Sequence, residues 1–179
     1  MILNRLSTST NSDNGPMSLV IAPTRELAHQ TYTCTYRLFE KVNTSTVIIT
    51  TTTTTPKLNV LPIYGGLTQS ELTSTWSLTK KLKSKTKQIH TLVCSPGRLI
   101  DLLKNKSTSL TNVTYLVLDE VDRLTTSEFK YQVDAIVCNL RPDAQRVGVS
   151  ATTGSNRYGE DYTSKWVGGV TNRSDGKKN

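Results

Sequence analysis

The chain has 179 residues, enough for one α/β domain with a substantial core or one and a half small ones. Lys and Arg total 22 against 14 Asp and Glu, a formal net charge of +8 that favours polyanionic partners, nucleic acid first, unless the excess lysine serves only solubility. Cys34, Cys94, Cys138, His29 and His90 are too few and too scattered for a structural zinc site, and no apolar run approaches the ~20 residues of a membrane span.

Residues 1–16 are polar and turn-rich and read as a flexible leader without a secretory signal. Ser18-Leu19-Val20-Ile21-Ala22 is a short buried strand, ended by Pro23, and Thr24 is a natural N-cap for a helix over about 25–42. Leu27, Ala28, Leu38, Phe39 and Val42 give that helix an apolar face. Residues 43–59, with Val47-Ile48-Ile49 leading into a threonine run from Thr50 to Thr55, form a low-complexity insertion that is a surface loop or an added edge strand.

Val60-Leu61-Pro62-Ile63-Tyr64 resumes the strand pattern and exits at Gly65-Gly66, where the missing side chains let a backbone or a phosphate approach. A helix is expected over about 69–82, followed by Lys80, Lys81, Lys83, Lys85 and Lys87, either a solvated loop or an RNA-phosphate patch. Ile89-His90-Thr91-Leu92-Val93-Cys94 is another buried strand, with Ser95-Pro96-Gly97-Arg98 as its exit turn and a short helix over 98–104.

Tyr115-Leu116-Val117-Leu118 runs abruptly into Asp119-Glu120-Val121-Asp122. A strand buried on both faces reads this way when it delivers carboxylates to the rim of a parallel sheet. Adjacent carboxylates there suit Mg²⁺, which takes one or two carboxylates, waters and phosphate oxygens. They equally suit the positive end of a following helix. A helix over about 127–139 turns Phe129, Val133, Ile136, Val137 and Leu140 inward, and Arg141-Pro142-Asp143 stops it. Arg146-Val147-Gly148-Val149 is the last strand, ending at Ser150-Ala151-Thr152, and 154–179 read as a flexible tail. Gly154 and Gly159 have phosphate-loop spacing, but Glu160-Asp161 replace the required Lys-Ser/Thr.

Strand and helix alternate, so the expected architecture is α/β: a mainly parallel sheet flanked by helices over 17–153. The three cysteines read as reduced core thiols of an intracellular protein, nuclear or cytoplasmic.

The strand exits form an ordered set: Ala22-Pro23-Thr24-Arg25-Glu26-Leu27-Ala28, Gly65-Gly66, Ser95-Pro96-Gly97-Arg98, Asp119-Glu120-Val121-Asp122 and Ser150-Ala151-Thr152. Over about 15–153 this resembles the first RecA-like lobe of DEAD-box RNA helicases, a P-loop NTPase fold. Phe129 to Val133, Leu140-Arg141-Pro142-Asp143 and Gln145 look most similar to the splicing-associated branch.

The resemblance implies ATP-dependent RNA binding and unwinding. It implies an RNA-backbone hold by Pro23, Thr24, Arg25 and Glu26, by Gly65 and Gly66, and by Pro96, Gly97 and Arg98, with Ser95 in place of the usual threonine. It implies that Asp119 holds Mg²⁺ through water beside ATP, that Glu120 polarises the attacking water, and that Asp122, Ser150 and Thr152 couple hydrolysis to strand separation. Arg25 and Arg98 could instead pair with nearby acids. Val121 departs from the family's alanine, and its extra methyls must fit beneath the helix start.

These residues hold no Gly-x-x-x-x-Gly-Lys-Thr loop and no second lobe, so this polypeptide alone is expected not to be catalytic. The last strand would then keep an exposed apolar edge. A second helicase lobe or another protein would be its partner beside RNA. The alternatives are a non-catalytic RNA- or protein-binding module, or a truncated gene product without function.

Overall fold

The computed structural model describes residues 15–49, 57–65, 89–151 and 166–167. Short segments form five strands, mostly apolar except for the last: β1 Ser18–Ile21, β2 Val60–Ile63, β3 Thr91–Cys94, β4 Tyr115–Leu118 and β5 Gln145–Gly148. All neighbouring pairs are parallel, in the order β2-β3-β1-β4-β5. The register is level: Ile21 lies opposite both Cys94 and Leu118, Ile63 opposite Cys94, and Leu118 opposite Gly148. The expected parallel α/β architecture is therefore the one observed.

Alternation along the strands splits the apolar side chains between two faces. Leu19, Ile21, Leu61, Ile63, Leu92, Cys94, Leu116 and Leu118 point into the larger core. Helices α2 Pro96–Lys104 and α4 Ser127–Cys138 cover that face with Leu99, Leu102, Val133, Ile136 and Val137. Each fully buried side chain of this kind contributes about 1.5–3 kcal/mol. The opposite face carries Val20, Val60 and Val93 under Ala28, Leu27 and Tyr32 of α1 Arg25–Ile49. A four-residue helix, α3 Val121–Leu124, joins β4 to α4.

The helix after β1 thus packs on one face, and those after β3 and β4 pack on the other. In an open α/β sheet the crevice between strands whose helices diverge in this way is where ligands bind, beyond the strands' carboxyl ends. Here β1 has such a neighbour on each side, so the crevice opens at its exit, toward β3 and toward β4.

Thr24 caps α1 as expected, its Oγ1 accepting the Leu27 N–H at 3.3 Å. The helix does not stop near residue 42 but continues to Ile49. Asn43, a residue type that favours helix ends, instead serves a tertiary contact: its amide donates to the Leu58 carbonyl at 3.1 Å and accepts the Leu58 N–H at 2.8 Å. Helix α2 begins two residues earlier than expected because Pro96 fits its first position, where no N–H is needed.

Only Cys94 is a core thiol, and burial pushes its pKa up, which keeps it inert. Cys34 and Cys138 are free and exposed on the outward faces of their helices, contrary to the expectation that all three are core residues. The helix expected over 69–82, the lysine run 80–87 and the Gly154 and Gly159 spacing lie outside the described residues.

Trp166 is fully buried in the larger core, and its indole N–H donates to the Asp134 carboxylate at 2.8 Å. No periodicity in the surrounding Gly-, Ser- and Asn-rich sequence signals this. Val121 is also buried, and a Cβ at Gly148 would meet its Cγ2 at 2.9 Å and that of Val167 at 3.0 Å. Glycine at 148 is what makes room for valine at 121.

At the amino ends of the strands, buried His90 accepts the Asn59 N–H on Nδ1 at 3.0 Å, so its proton sits on Nε2, which finds no partner among the described residues. Burial lowers its pKa below the usual 6.5.

Two predictions follow from these contacts. Gly148→Ala should cost about 1–3 kcal/mol in denaturant unfolding, and adding Val121→Ala should recover part of that loss; simple additivity of the two losses would contradict the matched pair. Between the lowered His90 value and about 6.5 the unfolded chain binds more protons than the folded one, so stability is full above that range and falls with pH through it. The midpoint of thermal unfolding should therefore drop between pH about 7.5 and about 5 more in the wild type than in His90→Gln. Equal drops would remove His90 as a cause.

Candidate functional site: the carboxyl rim of the sheet

Because the strands are parallel and level, their exits share one rim. Backbone hydrogen bonds lace it together. The Ala22 N–H donates to Cys94 at 3.0 Å, Ser95 to Ile63 at 3.1 Å, Asp119 to Ile21 at 2.9 Å and Val149 to Leu118 at 2.8 Å. The Val121 N–H then donates to the Val149 carbonyl at 2.9 Å, holding the loop after β4 against the loop after β5. Pro23, Thr24, Gly65, Ser95, Asp119 and Ser150 accordingly stand along a single edge. Gly66 and Thr152 lie outside the described residues.

The loop after β1 leads directly into α1, with Arg25 and Glu26 in its first turn. The Arg25 guanidinium stands over the Tyr64 ring, 5.9 Å from its centroid, so it leans toward the exit of β2. On α2, Arg98 lies 3.7 Å from Asp101, an i,i+3 pair with both side chains solvent-accessible. Such a pair is weak and leaves the cation available to a phosphate. Among the described residues, Gly65 has nothing within 4 Å of where a Cβ would be, and Gly97 only the flexible end of Gln132 at 3.4 Å. Packing among the described residues therefore requires glycine at neither position, and exposed Gly65 is open to a close-approaching ligand.

Asp119 continues the parity of Val117 and so turns toward the α1 side of the sheet. Its Oδ2 accepts the Thr31 hydroxyl of α1 at 3.3 Å, and its Oδ1 accepts the Glu120 N–H at 3.1 Å. Glu120 has φ 50° and ψ 57°, in the left-handed region that non-glycine residues seldom occupy, and this bend turns the chain from β4 into α3. Its carboxylate lies 3.9 Å from Arg123. Asp122 follows in the first turn of α3, on the loop bound to β5.

Among the described residues no three His, Cys, Asp or Glu side chains converge as a metal cage. A half-buried carboxylate at the rim fits Mg²⁺ in a different way, as an ion held mainly by water and phosphate oxygens. The sequence pointed to Asp119 and Glu120 but not to Thr31 or Tyr64, which meet Asp119 and Arg25 only through the fold, nor to Arg123, whose pairing with Glu120 is a local i,i+3 one. No described helix is long and apolar enough to cross a membrane.

Comparison with known proteins agrees with the parallel α/β architecture. The family model described as DEAD/DEAH box helicase matches residues 1–158. The chain is 37% identical over 139 residues to an ATP-dependent RNA helicase DDX42 of Gallus gallus, covering 78% of this chain and 12% of that protein. It is 38% identical over 140 residues to the DEAD-box ATP-dependent RNA helicase 24 of Oryza sativa subsp. japonica, covering 78% and 15%. It is 39% identical over 141 residues to a probable ATP-dependent RNA helicase ddx42 of Dictyostelium discoideum, covering 78% and 12%. The chain thus spans 12% to 15% of the length of these relatives.

The left-handed turn at Glu120 carries a stability test. Glu120→Gly should raise the unfolding free energy by about 1 kcal/mol, since glycine tolerates that conformation and the lost Arg123 pair is exposed and weak. A loss of stability in denaturant melts would show that the Glu120 side chain holds the turn.

Proposed function

The chain belongs to the DEAD/DEAH box helicase family, and on that premise we propose that its rim is the RNA-backbone hold and part of the ATP site of a helicase lobe. The observation that supports this most is the level alignment of all five strand exits, which puts phosphate-accessible backbone and rim carboxylates on one edge.

In this reading the N-terminus of α1 at Pro23, Thr24, Arg25 and Glu26, the Gly65-Gly66 exit, and the N-terminus of α2 at Pro96, Gly97 and Arg98 grip successive RNA phosphates. Helix N-termini, free N–H groups and arginine bind phosphate without reading sequence. The open space at Gly65, and the absence of a Cβ at Gly97 beside the movable end of Gln132, let the sugar-phosphate chain come close.

Mg²⁺ with ATP supplies charge neutralisation for phosphoryl transfer when bound. Asp119 would hold that ion through water, its carboxylate steadied by the Thr31 hydroxyl and the Glu120 N–H. Glu120 would orient and polarise the water from the left-handed bend that follows β4. Asp122, tied beside the β5 exit, would pass the state of the nucleotide to Ser150 and Thr152.

The 179 residues contain no lysine-bearing phosphate loop, so we propose that this polypeptide by itself binds RNA but turns over no ATP.

The test is fluorescence anisotropy with single-stranded RNA, run beside a phosphate-release assay. Binding should need no nucleotide and weaken steeply with salt. Gly97→Ala should keep or raise stability, by up to about 1 kcal/mol, yet weaken RNA binding. Unchanged binding in Gly97→Ala and Arg98→Ala would remove the rim as the RNA site. RNA-stimulated phosphate release that Glu120→Gln abolishes would show that the polypeptide is catalytic on its own.

A further inference from the structure

One group of side chains beside the rim is left unexplained by the backbone hold. Helical spacing sets Arg25, His29, Tyr32 and Tyr36 on one flank of α1, and Tyr64 at the β2 exit joins them. His29 Nδ1 is 2.9 Å from the Tyr64 hydroxyl, with the two rings edge-to-face and 6.1 Å apart. The next spacings are 6.5 Å from His29 to Tyr32 and 6.0 Å from Tyr32 to Tyr36. The rings form a continuous row with Arg25 at its rim end. At 1.5 Å per residue, the row runs about 16 Å from Arg25 to Tyr36 along the helix.

Core packing explains only part of it. Tyr32 and Tyr64 sit against the small core under α1, but His29 is exposed and Tyr36 is 46% exposed. A row of flat rings, half of them exposed and half anchored against the core, starting at a guanidinium, has the make-up of a base-stacking platform. Its hydroxyl and imidazole groups interrupt the apolar surface, which suits the mixed polarity of nucleobases better than an apolar peptide face. The chain's net charge of +8 favours a polyanion over an acidic-poor protein surface.

We propose that this row is a second RNA subsite, on which unpaired bases of a single strand stack after its backbone leaves the rim at Arg25. This rests on the rim being the RNA-backbone hold. It adds a base-dependent but sequence-tolerant contribution that a backbone-only hold lacks, because every base has a face to stack.

The experiment compares anisotropy titrations of the full 179-residue chain with a labelled short oligo(U) and with an abasic ribose-phosphate oligomer of equal length. Wild type should bind the oligo(U) more tightly. Tyr36→Ala should weaken oligo(U) binding by about fivefold or more and leave abasic binding unchanged. Tyr36→Phe, which keeps the ring, should bind as wild type, and thermal melts should show all variants folded. Arg98→Ala should weaken both ligands alike. If Arg98→Ala weakens binding but Tyr36→Ala changes nothing, or reduces both ligands equally, the stacking row is overturned while the backbone hold stands. If neither oligomer binds wild type, both are overturned.

Discussion

The structure depends on one constraint: five parallel strands paired in register, so that every strand ends at the same level. A one-residue slip between β1 and β4 would move Leu116 and Leu118 out of the larger core and turn Asp119 to the other face of the sheet. Core packing and site geometry are therefore fixed by the same register. The rim hydrogen bonds extend that pairing by one residue beyond the strands, which is why the loops are positioned as firmly as the sheet.

The two faces of the sheet are unequal. On the larger, side chains of α2 and α4 fill the space above Leu92, Leu116 and Leu118, and Trp166 completes it from far along the chain. The smaller face is a thin layer under α1, where Ala28 lets the helix approach and Tyr32 closes the flank. That close approach brings Thr31 to Asp119 and carries the ring row to the rim. At the β5 edge, exposed Val149 and the glycine at 148 leave a lightly covered strand, with Val121 and Val167 occupying the space that a larger residue would take.

The strands and the Thr24 cap were legible in the sequence because they are local: apolar runs of strand length, and a short polar residue before an amphipathic stretch. The rim motifs were legible because each lies at a strand exit. What was missed depends on partners distant in sequence. Asn43 looked like a helix end until Leu58 came into reach of its amide. Cys34 and Cys138 looked like core thiols because composition cannot say which face of a helix they occupy. Thr31, His90 and Trp166 gain their surroundings from contacts across 88, 31 and 32 residues, and nothing beside them in the chain announces these. The room for Val121 was a question the sequence could raise, and only the strand beside it could answer.

The most direct test of the shared rim is amide hydrogen exchange of the chain with and without single-stranded RNA. Protection should rise together in the segments around Thr24, Gly65 and Gly97 and stay unchanged at the opposite end of the sheet, around Asn59, His90 and Thr114. Protection confined to that opposite end, or to one of the three rim segments alone, would contradict a common rim as the binding edge.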